Sequence, residues 1–217
     1  MTKYFRLYRN IRGLLRYFIL GTDTDCGKTY VTTQLIHYFK QQGKKVMALK
    51  PVATGSEINS DAMLLQAALC TKENICGWHL TQALSPHLAA AIDGVDLSIE
   101  AIGDFCSAAW LSQYDVLLIE GAGGLMVPLN AMHTWVDCLQ KYKWPVILVV
   151  GMRLGCLNHA LLTAAALQSA GIECVGWVAN ALDPQFMALE DNIKTLQTKL
   201  PWPMLAYISY KQPLKNV

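Results

Sequence analysis

The feature that most constrains this chain is a nine-residue segment, 21–29, that joins a short apolar run to an amphipathic run. Its sequence is Gly-Thr-Asp-Thr-Asp-Cys-Gly-Lys-Thr. The Gly-Lys-Thr end is typical of a phosphate-binding loop, in which backbone N–H groups and a helix N-terminus hold phosphates, a lysine adds charge and a hydroxyl ligates Mg²⁺. We therefore predict that this segment binds a nucleoside triphosphate through Gly27, Lys28 and Thr29.

The spacing of this segment departs from the usual pattern G-x-x-x-x-G-K-[ST]. That pattern places its first glycine at position 22, where this chain has Thr22, and Gly21 stands one residue earlier. The flanking segments still have the required order, because an apolar run at 17–20 precedes the loop and apolar residues recur at helical spacing from Val31 to Phe39. We interpret the segment as a phosphate loop rather than a turn that only looks like one.

The fold class follows from five apolar runs of strand type that alternate with segments of helical periodicity. This alternation predicts an α/β fold, similar to P-loop NTPases, with a mostly parallel sheet and helices on both faces in a Rossmann-like three-layer arrangement. Right-handed crossovers bring the carboxyl ends of all the strands to one edge, where ligands bind. The runs are residues 17–21, 45–50, 115–119, 145–151 and 174–179.

Composition limits the classes of protein to which the chain can belong. Hydrophobic residues make up 53% of the chain and charged residues 16%, which excludes a disordered protein. The net charge of +2 gives no electrostatic reason to expect a nucleic-acid partner. The apolar runs are shorter than the roughly 20 residues of a membrane-spanning helix. We expect one domain, residues 16–217, that binds neither nucleic acid nor membrane.

The first sixteen residues are unusually basic. Lys or Arg recurs every three or four positions with no acidic residue among them, at positions 3, 6, 9, 12 and 16. This pattern is compatible with a basic amphipathic helix, a targeting segment or a membrane-surface helix. We interpret residues 1–15 instead as an N-terminal extension that packs loosely or is disordered.

The cysteines indicate a reducing compartment. Seven of them are scattered along the chain without a Cys-x-x-Cys pair, as is usual for reduced thiols in the cytoplasm. Cys26 lies inside the phosphate loop next to a helix N-terminus, a setting in which reactive thiols are found. We interpret Cys26 as a small packing residue, with a nucleophile as the alternative.

Candidate metal ligands follow two of the strands. Glu120 ends an apolar strand in the manner of the second nucleotide-binding motif, and Mg²⁺ takes one or two carboxylates, a phosphate-loop hydroxyl, phosphate oxygens and water. Glu120 and Thr29 are therefore predicted ligands, against the alternative of a solvated glutamate at a strand end. Asp61 is a third candidate, for which the pattern fits a helix N-cap equally well.

Lys50 closes another strand at the same edge. A lysine there would neutralise a transferring phosphoryl group or hold a carboxylated substrate. The alternative is an edge lysine in water, and spacing does not decide between them. The glycines after Glu120 allow backbone N–H groups to approach a ligand closely.

Taken together, these motifs resemble those of the ATP-dependent dethiobiotin synthetases, in the same order from about Arg16 to Asn180. The resemblance covers seven segments, so it is far more specific than any one motif, and it includes the longer phosphate loop. The segments are residues 21–29, Lys-Pro-Val-Ala-Thr-Gly at 50–55, Asn-Ser-Asp-Ala at 59–62, Ser-Pro-His at 85–87, Glu-Gly-Ala-Gly-Gly at 120–124, residues 153–159 and Gly-Trp-Val-Ala-Asn at 176–180.

The resemblance implies a cyclo-ligase of biotin biosynthesis. Such an enzyme converts 7,8-diaminononanoate, CO₂ and ATP to dethiobiotin, ADP and phosphate. A substrate amine captures CO₂ as a carbamate, the carbamate attacks the γ-phosphate, and the neighbouring amine closes the resulting mixed anhydride to a cyclic urea. ATP would be the co-substrate and Mg²⁺ the metal.

The resemblance also implies roles for particular residues. Lys50, Lys28 and Thr24 would be catalytic, and Thr29, Asp61 and Glu120 would hold Mg²⁺. The ATP-binding residues would be Asp25, Cys26, Gly27, Lys28, Thr29, Asp61, Glu120, Gly121, Ala122, Gly123, Asn180 and Ser209. The substrate-binding residues would be Thr54, Thr24, Gly123, Leu154, Gly155 and Asn158.

The family forms its active site at a two-fold interface, so the resemblance implies a homodimer in which the partner's 154–158 segment binds the substrate carboxylate.

The chain departs from the family's sequence pattern at two places. Asp25 replaces a glutamate that is frequent in the family, and residues 207–211 only loosely match the adenine-contacting segment.

Three other interpretations remain open. A related amide-forming ligase, similar to the cobyrinic-acid diamide synthases, would use the same scaffold. A ParA/MinD-like ATPase would carry its signature lysine five residues before Lys28, where this chain has Asp23. A nucleotide-binding module without catalysis would lack a metal or phosphate ligand, and none is obviously missing.

Overall fold

The computed structural model describes residues 13–55, 60–212 and 215–216. Residues 1–12, most of the predicted extension, lie outside the described residues, and the first strand begins at Leu15. The strands are β1 Leu15–Gly21, β2 Val46–Leu49, β3 Val52–Thr54, β4 Trp78–Leu80, β5 Val116–Gly124, β6 Val146–Met152, β7 Cys174–Ala181, β8 Met204–Ile208 and β9 Lys215–Asn216. The helices are α1 Lys28–Gln41, α2 Asp61–Leu69, α3 Pro86–Asp93, α4 Ile99–Cys106, α5 Trp135–Tyr142, α6 Cys156–Ser169 and α7 Leu189–Lys199, with a 3₁₀ helix at Ala109–Gln113.

The centre of the molecule is a seven-stranded sheet with the order β2-β5-β1-β6-β7-β8-β9. Neighbouring strands are parallel except for β8 and β9. Every residue of β6 is buried, and successive side chains of a strand point to opposite faces, so both faces of the sheet are covered. The predicted α/β fold with a mostly parallel sheet is confirmed.

Three parts of the sheet structure were not predicted. β8 and β9 extend the sheet beyond β7, and β3 and β4 form a separate parallel pair. β5 also continues through the glycines to Gly124, five residues past the predicted end at 119. Its pairing with β1 shifts register between Ile19 and Gly21, which lets an irregular glycine-rich segment remain in the sheet.

Aromatic packing fixes the glycine-rich end of β5. The indole Nε1 of Trp135, the first residue of α5, donates a hydrogen bond of 2.9 Å to the carbonyl oxygen of Ala122. The same indole packs against Phe18 of β1, with ring centroids 5.1 Å apart. The end of β5 is thereby tied to the strand that carries the phosphate loop.

Candidate active site

The phosphate loop occupies residues 22–27, between β1 and α1. Its first amide, on Thr22, donates a hydrogen bond of 3.0 Å to the Val149 carbonyl of β6. A Cβ on Gly21 would lie 2.5 Å from Cys26 Sγ and 2.9 Å from the Asp23 carbonyl oxygen. Gly21 thus allows the loop to fold back on itself, which is why a glycine one residue early is still compatible with a phosphate loop.

The loop ends at a helix N-terminus suited to an anion. Gly27 precedes α1 with a φ of 87°, a left-handed conformation that favours glycine. Because glycine has no side chain to cap the first amides of α1, these amides are free to bind phosphate oxygens. The Lys28 ammonium is buried and donates a hydrogen bond of 3.2 Å to the Asp23 carbonyl oxygen. Backbone donors and a lysine therefore converge here.

Glu120, at the carboxyl half of β5, is fully buried rather than solvated. Its Oε1 accepts a hydrogen bond of 2.7 Å from the Thr29 hydroxyl, and its Oε2 accepts one of 2.7 Å from the Thr32 hydroxyl. Thr32 was not predicted, although its position one helical turn after Thr29 places it on the same face of α1. Both carboxylate oxygens of Glu120 are thus held by α1.

Lys50 is also buried, so the alternative of an edge lysine in water is wrong. Its ammonium donates to Glu120 Oε1 at 2.7 Å, to Asp61 Oδ2 at 2.7 Å and to the Gly121 carbonyl oxygen at 3.2 Å. Burial lowers the pKa of Lys50, but the charges and hydrogen bonds of Glu120 and Asp61 outweigh this effect and leave the pKa above its ordinary value. Lys50 is therefore charged at neutral pH.

Asp61 is the first residue of α2 and not its N-cap. The cap is Ser60, whose hydroxyl accepts a hydrogen bond of 3.4 Å from the Met63 amide. The Asp61 carboxylate is left to face the cleft, where its side chain is 46% exposed. Burial raises the pKa of Asp61, but Lys50 outweighs burial and holds the pKa below its ordinary value.

The oxygen donors around Lys50 fit a magnesium ion. Thr29, Asp61 and Glu120 supply a hydroxyl and two carboxylates, which are the hard ligands that Mg²⁺ prefers. Within the residues that the structure describes, no three His, Cys, Asp or Glu side chains form a metal-binding cluster. Such a site would therefore complete its coordination with phosphate oxygens and water, as Mg²⁺ usually does.

These groups line a cleft of 970 Å³ at the carboxyl edge of the sheet. Glu120, Gly121 and Cys26 lie buried behind it, and the burial of the Cys26 side chain agrees with a packing role. Lining residues that were not predicted include Val52, Leu84 and Val127. The predicted residues that line the cleft are Thr24, Asp25, Gly27, Lys28, Thr29, Lys50, Thr54, Asp61, Ala122 and Gly123.

A second, smaller cavity of 150 Å³ adjoins Gly27. Asn180, at the end of β7, reaches it and donates from Nδ2 to the Cys26 carbonyl oxygen at 3.0 Å. Ser209 does not line this cavity. Its carbonyl oxygen accepts a hydrogen bond of 2.9 Å from the Gln212 amide, and this bond closes the turn whose residues Tyr210 and Lys211 do line the cavity. The lining residues are Gly27, Tyr30, Asn180, Ala181, Leu182, Tyr210 and Lys211.

The predicted residues Leu154, Gly155 and Asn158 do not line the cleft of their own chain. All three are exposed at the start of α6. The neighbouring Arg153 does reach the phosphate loop, where its guanidinium Nη2 lies 2.6 Å from Asp23 Oδ2. This ion pair was not predicted, because its two members are 130 residues apart.

The chain is similar to known proteins over nearly its whole length. The AAA domain family matches residues 15–217. The ATP-dependent dethiobiotin synthetase BioD of Legionella pneumophila strain Paris is 46% identical over 209 residues, which is 93% of this chain and 97% of the relative. The enzyme of the same name from Cellvibrio japonicus is 44% identical over 201 residues, 88% of each chain.

Solved structures with the same fold are much more distant in sequence. The signal recognition particle receptor FtsY from Elizabethkingia anophelis has a TM-score of 0.58 at 18% identity, over 93% of this chain and 61% of that one. The septum site-determining protein MinD from Pyrococcus horikoshii, complexed with Mg-ADP, has a TM-score of 0.53 at 20% identity, over 88% of this chain and 79% of that one. These likenesses establish a P-loop NTPase fold.

Proposed function

Because the chain belongs to the family of ATP-dependent dethiobiotin synthetases, we propose that its cleft joins CO₂ to 7,8-diaminononanoate at the expense of ATP. The product is dethiobiotin, and the reaction belongs to biotin biosynthesis. The observation that carries this proposal is the contact of Lys50 with Asp61 and Glu120 beside the phosphate loop, in a chain 46% identical to such an enzyme.

The chemistry needs one activation and one ring closure. A substrate amine attacks CO₂ and loses a proton, which gives a carbamate. A carbamate oxygen attacks the γ-phosphorus of ATP and ADP leaves. The second amine then attacks the carbonyl carbon of the mixed anhydride, phosphate leaves, and the cyclic urea of dethiobiotin remains.

The two buried lysines fit the negative charge in this sequence. Lys28 lies within the phosphate loop and would bind the phosphates of ATP. Lys50 contacts Asp61 and Glu120 beside the loop and would neutralise the carbamate and the transferring phosphoryl group. Charge placed in a water-poor site stabilises a transition state more than the same charge in water. Thr24, Thr54 and the Gly123 amide would orient the diamine between them.

Magnesium would be held by Thr29, Asp61 and Glu120. When bound, the ion would neutralise the β- and γ-phosphates of ATP. The Lys50 ammonium contacts both Glu120 and Asp61 in this structure, so it would give up part of these contacts to the ion when Mg²⁺ binds. Asp25 and Gly27 would donate backbone N–H groups to the phosphates, and Asn180 would contact the adenine edge.

The second part of the proposal is a homodimer. Leu154, Gly155 and Asn158 are exposed and outside the cleft of their own chain. In a two-fold dimer the same segment of the partner would complete the substrate carboxylate site. An exposed Leu154 at 92% of its full surface is easier to understand if a second copy covers it.

We place the protein in the cytoplasm. All seven cysteines are free, as is usual in a reducing compartment. No helix in the described part of the chain has the length and apolar character to cross a bilayer. The partners would be the small-molecule substrates and a second copy of the chain.

A switch ATPase of the ParA/MinD class is less well supported. The position of its signature lysine holds Asp23, whose carboxylate pairs with Arg153 of the same chain.

The deciding experiment for the proposed reaction incubates the purified protein with ATP, Mg²⁺, bicarbonate and 7,8-diaminononanoate and measures dethiobiotin by mass spectrometry. We expect ATP-dependent product. No product, with ATP hydrolysis seen only after DNA, membrane or another acid substrate is added, would overturn the proposal.

A further inference from the structure

We propose that Tyr30 is a positioning residue for the nucleobase, because its hydroxyl fastens the segment after β8 against α1 and so completes the wall of the smaller cavity. This inference rests on the nucleotide site proposed above. It concerns how tightly and how selectively the base is held, rather than the reaction itself.

The smaller cavity has three walls of different origin. Gly27 and Tyr30 come from the start of α1, residues 180–182 come from the end of β7, and Tyr210 and Lys211 come from the turn after β8. Gly27 lines both the larger cleft and this cavity, so a nucleotide whose phosphates lie in the cleft at Gly27 would have the smaller cavity beside it. Its volume is 150 Å³ and its lining is mostly apolar, which suits the flat face of an aromatic base.

Two of these walls are fixed by the core. The end of β7 is paired with β6 and β8, and Asn180 is buried and bonded to the Cys26 carbonyl oxygen. α1 packs on the sheet through the buried residues Val31 and Leu35. Neither wall needs help to stay in place.

The third wall is a short turn outside the sheet. Tyr210, Lys211 and Gln212 are all exposed, and Lys211 has a φ of 52°, an unfavourable value for a residue with a side chain. The turn is closed by the Gln212 amide, which donates to the Ser209 carbonyl oxygen at 2.9 Å. The turn joins β8 to β9, whose antiparallel pairing holds its two ends, but its exposed and strained tip needs a contact from outside the hairpin to hold one position.

Tyr30 supplies such a contact. Its hydroxyl donates a hydrogen bond of 3.0 Å to the Gln212 carbonyl oxygen, 182 residues further along the chain. Because Tyr30 follows Thr29 directly, the bond links the third wall to the helix turn that carries a proposed magnesium ligand. The ring of Tyr30 lines the cavity, while its hydroxyl holds the opposite wall in place.

The test is Tyr30→Phe, which removes the hydroxyl and keeps the ring. We expect the dissociation constant for ATP to rise about three- to tenfold, the effect of one lost hydrogen bond. Binding of tripolyphosphate with Mg²⁺, which lacks a base, should change less than about twofold on the same scale. In steady state, KM for ATP should rise while kcat stays near that of the wild type.

Tyr142→Phe is the matched control. It also removes a tyrosine hydroxyl bonded to a backbone carbonyl, that of Glu100 at 3.5 Å, away from both cavities. It should leave ATP binding unchanged. Unchanged ATP binding in Tyr30→Phe would overturn the inference. An equal loss for ATP and tripolyphosphate would overturn it too, because the effect would then act on the phosphate loop.

The binding measurements need no substrate turnover, so the two proposals fail separately. Absence of dethiobiotin with a base-specific loss in Tyr30→Phe would reject only the proposed reaction. Formation of dethiobiotin with no change in Tyr30→Phe would reject only the role of Tyr30.

Discussion

Glu120 and Lys50 show how single residues are held in this site. A buried carboxylate is costly unless an opposite charge and hydrogen bonds compensate it. Glu120 has both, since Lys50 supplies the charge and two threonine hydroxyls supply hydrogen bonds. The same pairing keeps the Lys50 ammonium aimed at the cleft, so stability and function depend on one contact.

Lys50→Met tests this double role. We expect turnover to fall at least about 100-fold, because charge stabilisation of the transition state is lost. We also expect the free energy of unfolding to fall by about 3–5 kcal/mol, because Glu120 is left buried without a cation. Product formation and urea unfolding measure the two effects.

Two further variants separate stability from catalysis. In Lys50→Met with Glu120→Gln, stability should recover because position 120 no longer carries a buried charge without a partner, whereas turnover should stay low. Lys141→Met removes a lysine from an exposed pair with Glu100 and should change the free energy of unfolding by at most about 1 kcal/mol. Near-normal turnover in Lys50→Met would remove Lys50 from the catalytic residues.

At the scale of elements, helix starts place the polar groups of the cleft. α1 presents amides and Thr29, and α2 presents Asp61 as its first residue. The Ser60 cap holds the start of α2, because its hydroxyl accepts from the Met63 amide. A change to this cap should therefore move Asp61 as well as weaken the helix.

Ser60→Ala and Ser98→Ala form a matched pair for this idea. Ser98 caps α4 in the same way, accepting from the Ala101 amide at 3.1 Å, but it does not line the cleft. Each change should cost about 1 kcal/mol of unfolding free energy. Only Ser60→Ala should also raise the Mg²⁺ concentration needed for half-maximal turnover. Equal metal dependence in both variants would contradict this link between cap and metal site.

At the scale of the whole molecule, the start of α6 is an exposed surface with a proposed partner. Asn158 and Leu162 of α6 lie four residues apart, Leu162 is 62% exposed, and the exposed Leu154 lies just before the helix. Residues four apart in a helix share a face. This face is where we place the two-fold contact.

Leu162→Glu should dissociate the dimer, since it would bury an unpaired charge in an apolar contact. We expect the dimer dissociation constant to rise at least about 100-fold, measured by light scattering over a dilution series. Met187→Glu, at a fully exposed residue before α7, should leave the mass unchanged. A wild-type protein that scatters as a monomer would contradict the proposal directly.

A shared active site predicts complementation between subunits. Lys50→Met and Asn158→Ala proteins should each be weakly active alone. After mixing and subunit exchange, a heterodimer carries one site with Lys50 and the partner's Asn158 both intact. Activity should therefore reappear in the mixture, and its absence would show that each chain completes its own site.

Much of the site could be predicted because its residues lie where strands end. The loop at 21–29, Lys50 and Glu120 all follow apolar runs, and parallel strands bring such ends to one edge. Thr32 and Ser60 could not be assigned with the same security, because a threonine or serine in a helix start is common and its partner is distant in sequence. β8 was missed since Met204–Ile208 lies between segments rich in proline and polar residues.

The order of strand, loop and helix, the α/β class and the family follow from the amino-acid sequence alone, because they depend on local pattern and on motifs along the chain. Which side chains touch follows from the packing of distant segments. The tertiary structure buried Glu120 against Lys50, assigned the cap of α2 to Ser60 and joined Tyr30 to Gln212. Such contacts depend on distances between segments that only the packed sheet brings together, and no local pattern encodes those distances.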